Sequence, residues 1–441
     1  MKSKLFLQCR ECNHQIPDFK TWFSNWQKCD QCGGHKVIVH YHSGYEPLKK
    51  LVRKGLEPKN IWHYFDYLPL LDKKNIVTFN EGIVPIERWD FIERYAREVL
   101  NLDCKIYVQR NDLNPGTGTF KDMAGTVVAS ALRENRYDNY VVASTGNIAT
   151  AYSKYLSAAR IALYAFIPHN SSILQEAHIG GYGQRVFRVD GDYEAAKTMA
   201  VEFAAKHRIL LAAGNFDPLR IEAKKTMVYE WLRVLKDFPT VYIQALSGGT
   251  GPLGIEKSFM ELEPLNLVSH LPRQILVQSS KCAPMAIAWE KARNSNFPEG
   301  WQNDYPIIKK PQTTIPTLAT GNPKTYPFLS QFVRKTGGDI IAGDESKVIH
   351  VARLIAMERS VLVGPAAALP VLGLFQALHS GRIFNGDIVV LNLGEGVLRE
   401  PDFTQKYITK KPMITKLSEC QPLKRNRKIS QQWQKIAQLF T

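Results

Sequence analysis

The sequence lacks an uninterrupted apolar segment of membrane-spanning length. Its longest stretch without a charged residue, Ser360 to Leu378, is broken by Gly364, Pro365 and Pro370, whereas a spanning helix needs about 20 consecutive, mainly apolar residues. The N-terminus has no apolar run of signal-peptide length before the first cysteines. These absences exclude a multi-span membrane protein and predict a soluble chain in the cytoplasm.

Acidic residues are nearly absent from the end of the chain, residues 405–441. This basic C-terminal tail holds nine lysines and arginines against one acidic residue, Glu419. The whole chain has 57 Lys and Arg against 41 Asp and Glu, a formal net charge of +16, so half of the excess lies in the tail. Such a run leaves nucleic-acid binding open, but the mildly basic remainder favours a small anionic substrate.

The composition shows no bias towards disorder or a fibrous repeat. Hydrophobic residues make up 44% and charged residues 22% of the 441 residues, close to the soluble globular average. At about 150 residues per domain, the length predicts about three domains.

Short continuous runs of Val, Ile and Leu alternate with longer helical patterns such as 193–206 and 221–236. Runs of this kind, bounded by Gly, Asn or Ser, are typical of strands buried on both faces of a parallel sheet. They are found at 105–110, 140–143, 161–167, 186–189, 241–245, 274–278 and 387–392. The alternation predicts an α/β fold with largely parallel sheets.

Cysteines are few, and four of the seven form two C-x-x-C pairs. Cys9 and Cys12 are separated by sixteen residues from Cys29 and Cys32, which is the spacing of a zinc ribbon. Two disulfides are the alternative, but they require an oxidising compartment. Four thiolates close the tetrahedral shell of zinc and leave no open position for water, so the predicted zinc is structural.

Three loops rich in glycine or small polar residues follow predicted strands, where open parallel sheets place their ligands. The first, NDLNPGTGTFKD at 111–122, leads into a helix and carries Lys121 at the helix start. A charged lysine there opposes the positive end of the helix dipole, a cost that a neutral amine or an imine avoids. Lys121 is therefore a candidate for amine chemistry, with a solvated surface lysine as the alternative.

The other two loops predict anion sites. Ser144, Thr145, Gly146 and Asn147 precede a helix, and their hydroxyls and free N–H groups suit a carboxylate. The segment Ser247–Gly251 (SGGTG) also precedes a helix, and its glycines let consecutive N–H groups converge on a phosphate. Each loop is also compatible with a plain helix cap, but all three on one α/β body indicate a common site.

Five further motifs are present: NEGIVPIE at 80–87, GGYGQRVFRVDGDYEAA at 180–196, NFDPLRIEAKKTMVYE at 215–230, VQSSKCAPMAIAWE at 277–290 and TGNP at 320–323. With these motifs and the three loops, the chain resembles the threonine synthase family of fold-type II pyridoxal phosphate enzymes over roughly residues 9–402. The resemblance implies an α/β fold of two open, largely parallel-sheet domains at 46–404, with a small domain at about 120–215 inserted in the large one, after a zinc ribbon at 1–45. It also implies a homodimer in amino-acid biosynthesis, with pyridoxal 5'-phosphate as cofactor and a phosphorylated amino acid as substrate.

The resemblance also implies roles for single residues. Lys121 is the expected Schiff-base lysine and the base that removes the α-proton, and Phe120 is expected to pack on the cofactor ring. Asn147 is expected to bond the cofactor's 3-oxygen. The expected cofactor-phosphate ligands are Ser247, Gly248, Gly249, Thr250 and Gly251, and the expected substrate ligands are Thr119, Ser144, Thr145 and Gly146.

Two features depart from the family pattern. Where the family places a Thr or Ser hydroxyl beside the pyridine nitrogen, this chain reads VLNLGEGV, which puts Asn392 or Leu393 there and leaves Asn392 or Glu395 to contact the nitrogen. The VLNLGEGV segment and the SGGTG loop are closer to cysteate synthase, which uses phosphoserine, whereas the lysine loop is closer to threonine synthase.

The predicted reaction is conversion of O-phosphohomoserine to threonine and phosphate. A β-replacement on O-phosphoserine or another activated serine is the alternative. Two alternatives belong to other classes: a nucleic-acid-binding relic that uses the ribbon and the basic tail, and a catalytically idle scaffold.

Overall fold

The residues that the structure describes form three separate β-sheets. The computed structural model describes residues 3–144, 146–169, 171–407, 416, 418, 433 and 436–440. The strands in these residues are β1 (Leu5–Cys9), β2 (Gln15–Ile16), β3 (Val37–Tyr41), β4 (Ile86–Arg88), β5 (Lys105–Gln109), β6 (Asn139–Ala143), β7 (Ala162–Pro168), β8 (Arg185–Val189), β9 (Leu210–Leu211), β10 (Val241–Ala245), β11 (Arg273–Ser279), β12 (Asp339–Gly343) and β13 (Ile388–Asn392).

Helices connect the strands and cover the sheets. They are α1 (Phe19–Ser24), α2 (Leu48–Leu51), α3 (Asp90–Leu100), α4 (Lys121–Glu134), α5 (Asn147–Ala158), α6 (Ile173–Gly181), α7 (Tyr193–His207), α8 (Pro218–Val234), α9 (Thr250–Leu262), α10 (Pro284–Asn294), α11 (Tyr326–Lys335), α12 (Val348–Arg359), α13 (Pro365–His379) and α14 (Pro401–Gln405).

The largest sheet has the strand order β12-β11-β10-β13-β5-β4 and is parallel except for β4, which runs antiparallel to β5. Alternate residues of β11 enter different cores, because Ile275 and Val277 pack in the same cluster as α13 while Leu276 packs with α10. The sheet is therefore covered on both faces, as its continuous apolar strands predict. The charge-free segment supplies the buried helix α13, and no helix of the described residues is long and apolar enough to cross a membrane.

The second sheet is smaller and wholly parallel. Its order is β8-β7-β6-β9, and all four strands come from Asn139–Leu211. The two sheets confirm the predicted α/β fold with largely parallel sheets. The sheet lies inside the range expected for the inserted small domain, although the domain boundaries themselves stay predictions.

The N-terminal segment forms a three-stranded antiparallel sheet, β2-β1-β3, that packs on the body of the protein. Its strand residues share one hydrophobic core with α8 and α9. The Tyr41 hydroxyl donates to Glu222 of α8 (2.7 Å), and the Gln27 amide donates to the Leu211 carbonyl (2.6 Å). The ribbon therefore contacts both the helix and the strand that lead towards the cavity described below.

Most of the predicted basic tail lies outside the described residues. Of the part that is described, Phe440 stacks on Phe375 with ring centroids 5.4 Å apart, and Trp433 contacts Tyr95 edge-on. These contacts attach the end of the chain to the α13 side of the large sheet.

Candidate active site

A cavity of about 650 Å³ lies between the two parallel sheets. Ala143, Ala245 and Asn392, the last residues of β6, β10 and β13, all line it. Helices α4, α5 and α9 begin at the same place, with Lys121, Asn147 and Thr250 as their first residues. The cavity therefore sits at the carboxyl ends of parallel strands, where open sheets bind ligands, and it brings the three predicted loops together.

Lys121 opens α4 with its amine inside the cavity. Its Nζ lies 3.6 Å from the centroid of the Phe120 ring and makes no hydrogen bond to any residue that the structure describes. Burial, followed by the nearby Arg220 guanidinium, lowers the Lys121 pKa to about 7, although Glu395 opposes this shift. A large fraction of the amine is therefore neutral and nucleophilic near neutral pH.

The loop before α5 is closely tied to its surroundings. The Ser144 hydroxyl accepts hydrogen bonds from the Gly146 and Ala149 amides at 3.0 and 3.4 Å, which makes it a cap of the helix. A Cβ atom at Gly146 would lie 2.5 Å from Nε2 of Gln175, so a larger residue there would require the Gln175 side chain to move. Thr145, predicted beside them, lies outside the described residues.

Asn147 is held by two charged side chains. Its amide nitrogen donates to Oε2 of Glu395 (2.7 Å), and its amide oxygen accepts from Nε of Arg399 (3.0 Å). Glu395 also accepts from the backbone N–H of Ala366 (3.0 Å), and burial raises its pKa. The network fixes the orientation of the Asn147 amide at the cavity wall.

The loop from Ser247 to Gly251 forms the N-terminus of α9. Gly249 has φ +85°, a backbone conformation that favours glycine. None of the described residues accepts a hydrogen bond from the N–H groups of Gly248, Gly249, Thr250 or Gly251. Four consecutive free donors at the positive end of a helix form an anion site.

Side chains support this loop from outside. The Thr250 hydroxyl donates to Oδ1 of Asn215 (3.0 Å), the Ser247 hydroxyl lies 2.8 Å from that of Thr320, and the Thr325 hydroxyl donates to the Gly248 carbonyl (2.8 Å). These bonds leave the backbone N–H groups free for a ligand.

The structure decides between the two residues that the sequence places at the end of β13. Asn392 lines the cavity, whereas Leu393 is fully buried in the apolar core behind the sheet. The Asn392 amide oxygen accepts from Nδ2 of Asn111 (2.9 Å), so its N–H groups are the part of the amide that can serve a ligand as donors.

Thr119 differs from the other predicted residues. It is fully buried, and its hydroxyl accepts the backbone N–H of Lys121 (3.2 Å). The described cavity lining does not include it, so its expected contact with substrate stays a prediction.

Two cations on α8 that were not among the predicted site residues also face the cavity. Arg220 and Lys224 stand one helical turn apart and both line the cavity. Arg220 donates to the Gly214 carbonyl (2.6 Å), but its buried Nε has no partner among the described residues. The i, i+4 spacing of the two cations in NFDPLRIEAKK is the signal that could have placed them on one face.

The residues present fit pyridoxal phosphate. Lys121 supplies an amine for the cofactor's aldehyde, the α9 loop supplies free donors for its phosphate, and Phe120 provides an aromatic wall. A Cβ at Gly394 would lie 3.2 Å from the Phe120 ring, so glycine keeps the space beside this ring open. When bound, the cofactor supplies an electron sink for a carbanion at the substrate α-carbon.

The four N-terminal cysteines form a separate cluster. Their Sγ atoms all lie within 4.8 Å of one another, with Cys9–Cys32 and Cys12–Cys29 both at 3.6 Å. Zinc–sulfur bonds of about 2.3 Å in a tetrahedron put sulfurs about 3.8 Å apart. The cluster can therefore hold a metal ion.

Comparison with known proteins agrees with this site. Residues 78–394 match the family of pyridoxal-phosphate dependent enzymes. Threonine synthase of Methanocaldococcus jannaschii is 28% identical over 379 residues, which cover 84% of this chain and 88% of that protein. Cysteate synthase of Methanococcoides burtonii is 28% identical over 381 residues, with the same two coverages of 84% and 88%.

Solved structures show the same fold. Diaminopropionate ammonia lyase from Escherichia coli matches with a TM-score of 0.61 at 12% identity, over 76% of this chain and 90% of that one. Threonine deaminase from Solanum lycopersicum matches with a TM-score of 0.58 at 17% identity, over 80% and 90%. Together with the family match, the fold and the cavity confirm the predicted enzyme class. The chain belongs to the pyridoxal-phosphate dependent enzymes, as a lyase similar to threonine synthases and cysteate synthases.

Proposed function

We propose that the enzyme converts O-phosphohomoserine to threonine and phosphate. The observation that carries this proposal is the Arg220 guanidinium, which lines the cavity with a buried, unpartnered Nε. It is a third anion-binding group, in addition to the α9 loop and the α5 loop. A cofactor phosphate and a substrate carboxylate occupy two of the three, so the third suits an anionic group on the substrate side chain.

In this proposal each element of the cavity has one task. The free N–H groups of Gly248 to Gly251 hold the cofactor phosphate, and Ser144 with the start of α5 holds the substrate carboxylate. Arg220 orients the substrate phosphoryl group. Lys121 takes the proton from the substrate α-carbon, and its lowered pKa keeps its amine available as a base near neutral pH.

Asn392 is proposed to contact the pyridine nitrogen. Its amide oxygen is already bonded to Asn111, so it offers an N–H donor, which requires an unprotonated nitrogen as acceptor. Leu393 is excluded from this role by its position in the core.

A β-replacement on O-phosphoserine is the second candidate, because the cysteate synthase relative is as similar to this chain as the threonine synthase. The deciding experiment incubates the holoenzyme separately with phosphohomoserine and with phosphoserine plus an added nucleophile, following phosphate release and the amino-acid product. Threonine formed from phosphohomoserine supports the proposal. Release of phosphate from phosphoserine but not from phosphohomoserine contradicts the proposal and favours the second candidate.

The four-cysteine cluster is proposed to bind one structural zinc per chain, because four thiolates satisfy zinc fully. Cys12→Ser is expected to lose the metal and stability, and Cys104→Ser, at a buried cysteine away from the cluster, is the matched control. Zinc analysis and thermal unfolding measure both. Zinc content unchanged in Cys12→Ser would contradict the assignment. The homodimer and the cytoplasmic location stay predictions.

A further inference from the structure

Lys224 is a buried lysine without a partner. It is 1% exposed, lines the cavity, and its Nζ makes no hydrogen bond or ion pair with any residue in the described ranges. The next residue, Lys225, is equally buried but pairs with both Glu222 and Glu261. Burying an amine without a partner costs free energy, so a fold that pairs Lys225 and leaves Lys224 unpaired points to a ligand.

No carboxylate among the described residues lies within ion-pair distance of Lys224. Its Nζ lies 4.5 Å from the centroid of the same Phe120 ring that Lys121 contacts, and Arg220 is one turn away on α8. The facing acids are Asp217 and, near Lys121, Glu395. Asp217 uses one oxygen to cap α8, and burial raises its pKa to about 6; Glu395 is bonded to Asn147. The charge of Asp217 raises the Lys224 pKa from a distance, but neither acid forms an ion pair or hydrogen bond with Lys224.

The proton state of Lys224 explains how the fold tolerates it. Burial, followed by the charges of Lys121 and Arg220, lowers its pKa well below the usual lysine value. This shift favours the neutral amine while the cavity holds no anion, and a bound anion favours its protonation. A phosphate monoester in its monoanionic form carries that proton with it, so the transfer leaves an ammonium facing a dianion.

We propose that Lys224 is a specificity-determining residue that binds the substrate's phosphate monoester together with Arg220. The proposal rests on the proposed function, because it takes the substrate to be phosphorylated. Two phosphate monoesters can enter this cavity, that of the cofactor and that of the substrate. The free N–H groups at the start of α9 suit the cofactor's phosphate. The Arg220 guanidinium and the Lys224 ammonium together suit the three terminal oxygens of the substrate's phosphate.

The test compares Lys224→Gln with wild type as purified holoenzymes. Lys224→Arg, which keeps a cation, tests rescue. Lys197→Gln is the matched control, because Lys197 lines the same cavity but is partly exposed and paired with Glu194 (2.7 Å). Circular dichroism and thermal unfolding establish that each variant is folded, and Lys224→Met replaces Lys224→Gln if the latter is not.

Three binding measurements distinguish a subsite for the substrate's phosphate from one for the cofactor's phosphate. Inorganic phosphate binding to the holoenzyme is followed by 31P NMR, homoserine binding by the change in cofactor absorbance, and pyridoxal phosphate binding by titration of apo-protein. We expect Lys224→Gln to weaken inorganic phosphate binding ~10-fold or more, with homoserine and cofactor affinities within twofold of wild type. Lys224→Arg should recover most of the loss, and Lys197→Gln should behave as wild type.

Equal phosphate affinity in wild type and Lys224→Gln would overturn the proposal. So would a loss of cofactor affinity with phosphate binding unchanged, because Lys224 would then serve the cofactor's phosphate. The proposed function can fail separately. If the holoenzyme binds phosphate through Lys224 but turns over only phosphoserine, the phosphate subsite is supported and the proposed reaction is contradicted. Conversely, if Lys224→Gln turns over phosphohomoserine with an unchanged KM, the proposed reaction is supported and the phosphate subsite is contradicted.

Discussion

Helix α8 presents two charged faces that differ in one respect. On the face towards the ribbon, Lys225 and Lys257 of α9 pair with Glu222 and Glu261, all of them at most 4% exposed. On the face towards the cavity, Arg220 and Lys224 have no carboxylate partner among the described residues. Both faces bury basic side chains, but only on the first are they paired with carboxylates of the protein.

The comparison separates structural from functional charges. A buried ion pair satisfied on every side holds helices together, and removing one partner leaves an uncompensated charge. A buried basic side chain without a carboxylate partner adds no ion pair to the fold, and it gains a partner only when an anionic ligand binds. The first kind should therefore be sensitive in unfolding experiments and the second in binding experiments.

The largest expected effect is on the cavity face. Lys121→Ala should lower turnover by ~10⁴-fold, because it removes the proposed base, and should abolish the visible absorbance of lysine-bound cofactor while leaving the protein folded. Lys197→Ala, at the same cavity, should retain both properties. A cofactor adduct that borohydride still reduces in Lys121→Ala would contradict the assignment, and peptide mapping would then show whether Lys224 had replaced Lys121.

Substitutions on the paired face should lower the stability of the protein. Glu261→Gln removes the carboxylate shared by Lys225 and Lys257, so we expect the free energy of unfolding in urea to fall by about 3–5 kcal/mol. Glu263→Gln is the matched control. Glu263 lies two residues further along the chain, is 44% exposed and has a long contact of 3.9 Å with Lys335, so its replacement should lower the free energy of unfolding by less than about 1 kcal/mol. Similar losses in both variants would contradict the structural role assigned to the paired face.

The pH dependence of cofactor capture should follow the amine of the cavity face. The neutral form of Lys121 is the reactive one, and its pKa is lowered to about 7 by burial and Arg220. The rate at which apo-protein takes up pyridoxal phosphate should therefore rise with pH up to about 7 and then level, falling ~10-fold per unit below it. Stopped-flow absorbance measures this. A rate that keeps rising to pH 10 would indicate an ordinary exposed lysine.

The smallest expected effect concerns the glycine loop. Gly249 and Gly386 both have φ +85°, so alanine at either should strain the backbone by about 1–2 kcal/mol. A Cβ at Gly386 meets nothing within 4 Å, which makes it the matched control. Only Gly249→Ala should weaken pyridoxal phosphate affinity, several-fold, in a titration of apo-protein. Equal affinities in the two variants would leave the loop as a plain helix cap.

Much of the fold was predictable because its signals are local. The strand at 241–245 was predicted at the bounds that the structure shows, and the others within one or two residues. Three strands of the two larger sheets were not identified. β4 and β9 have only three and two residues, which carry too little pattern, and β12 (DIIAG) has an apolar run of only three residues. At the site, the lysine loop and the glycine loop were recognisable from residue type and spacing, whereas Arg220 and Lys224 were read only as part of a motif.

The sequence by itself determined which segments are buried strands, that four cysteines are spaced for one metal, and that a lysine and two anion-binding loops begin helices after strands. Only the tertiary structure decided that Asn392 rather than Leu393 meets the cavity, and that of two adjacent lysines Lys225 is paired and Lys224 is free. The reason is geometric. Neighbours on a helix point about 100° apart, so the burial of each side chain follows from local periodicity, but its partner depends on which distant segment packs against that face.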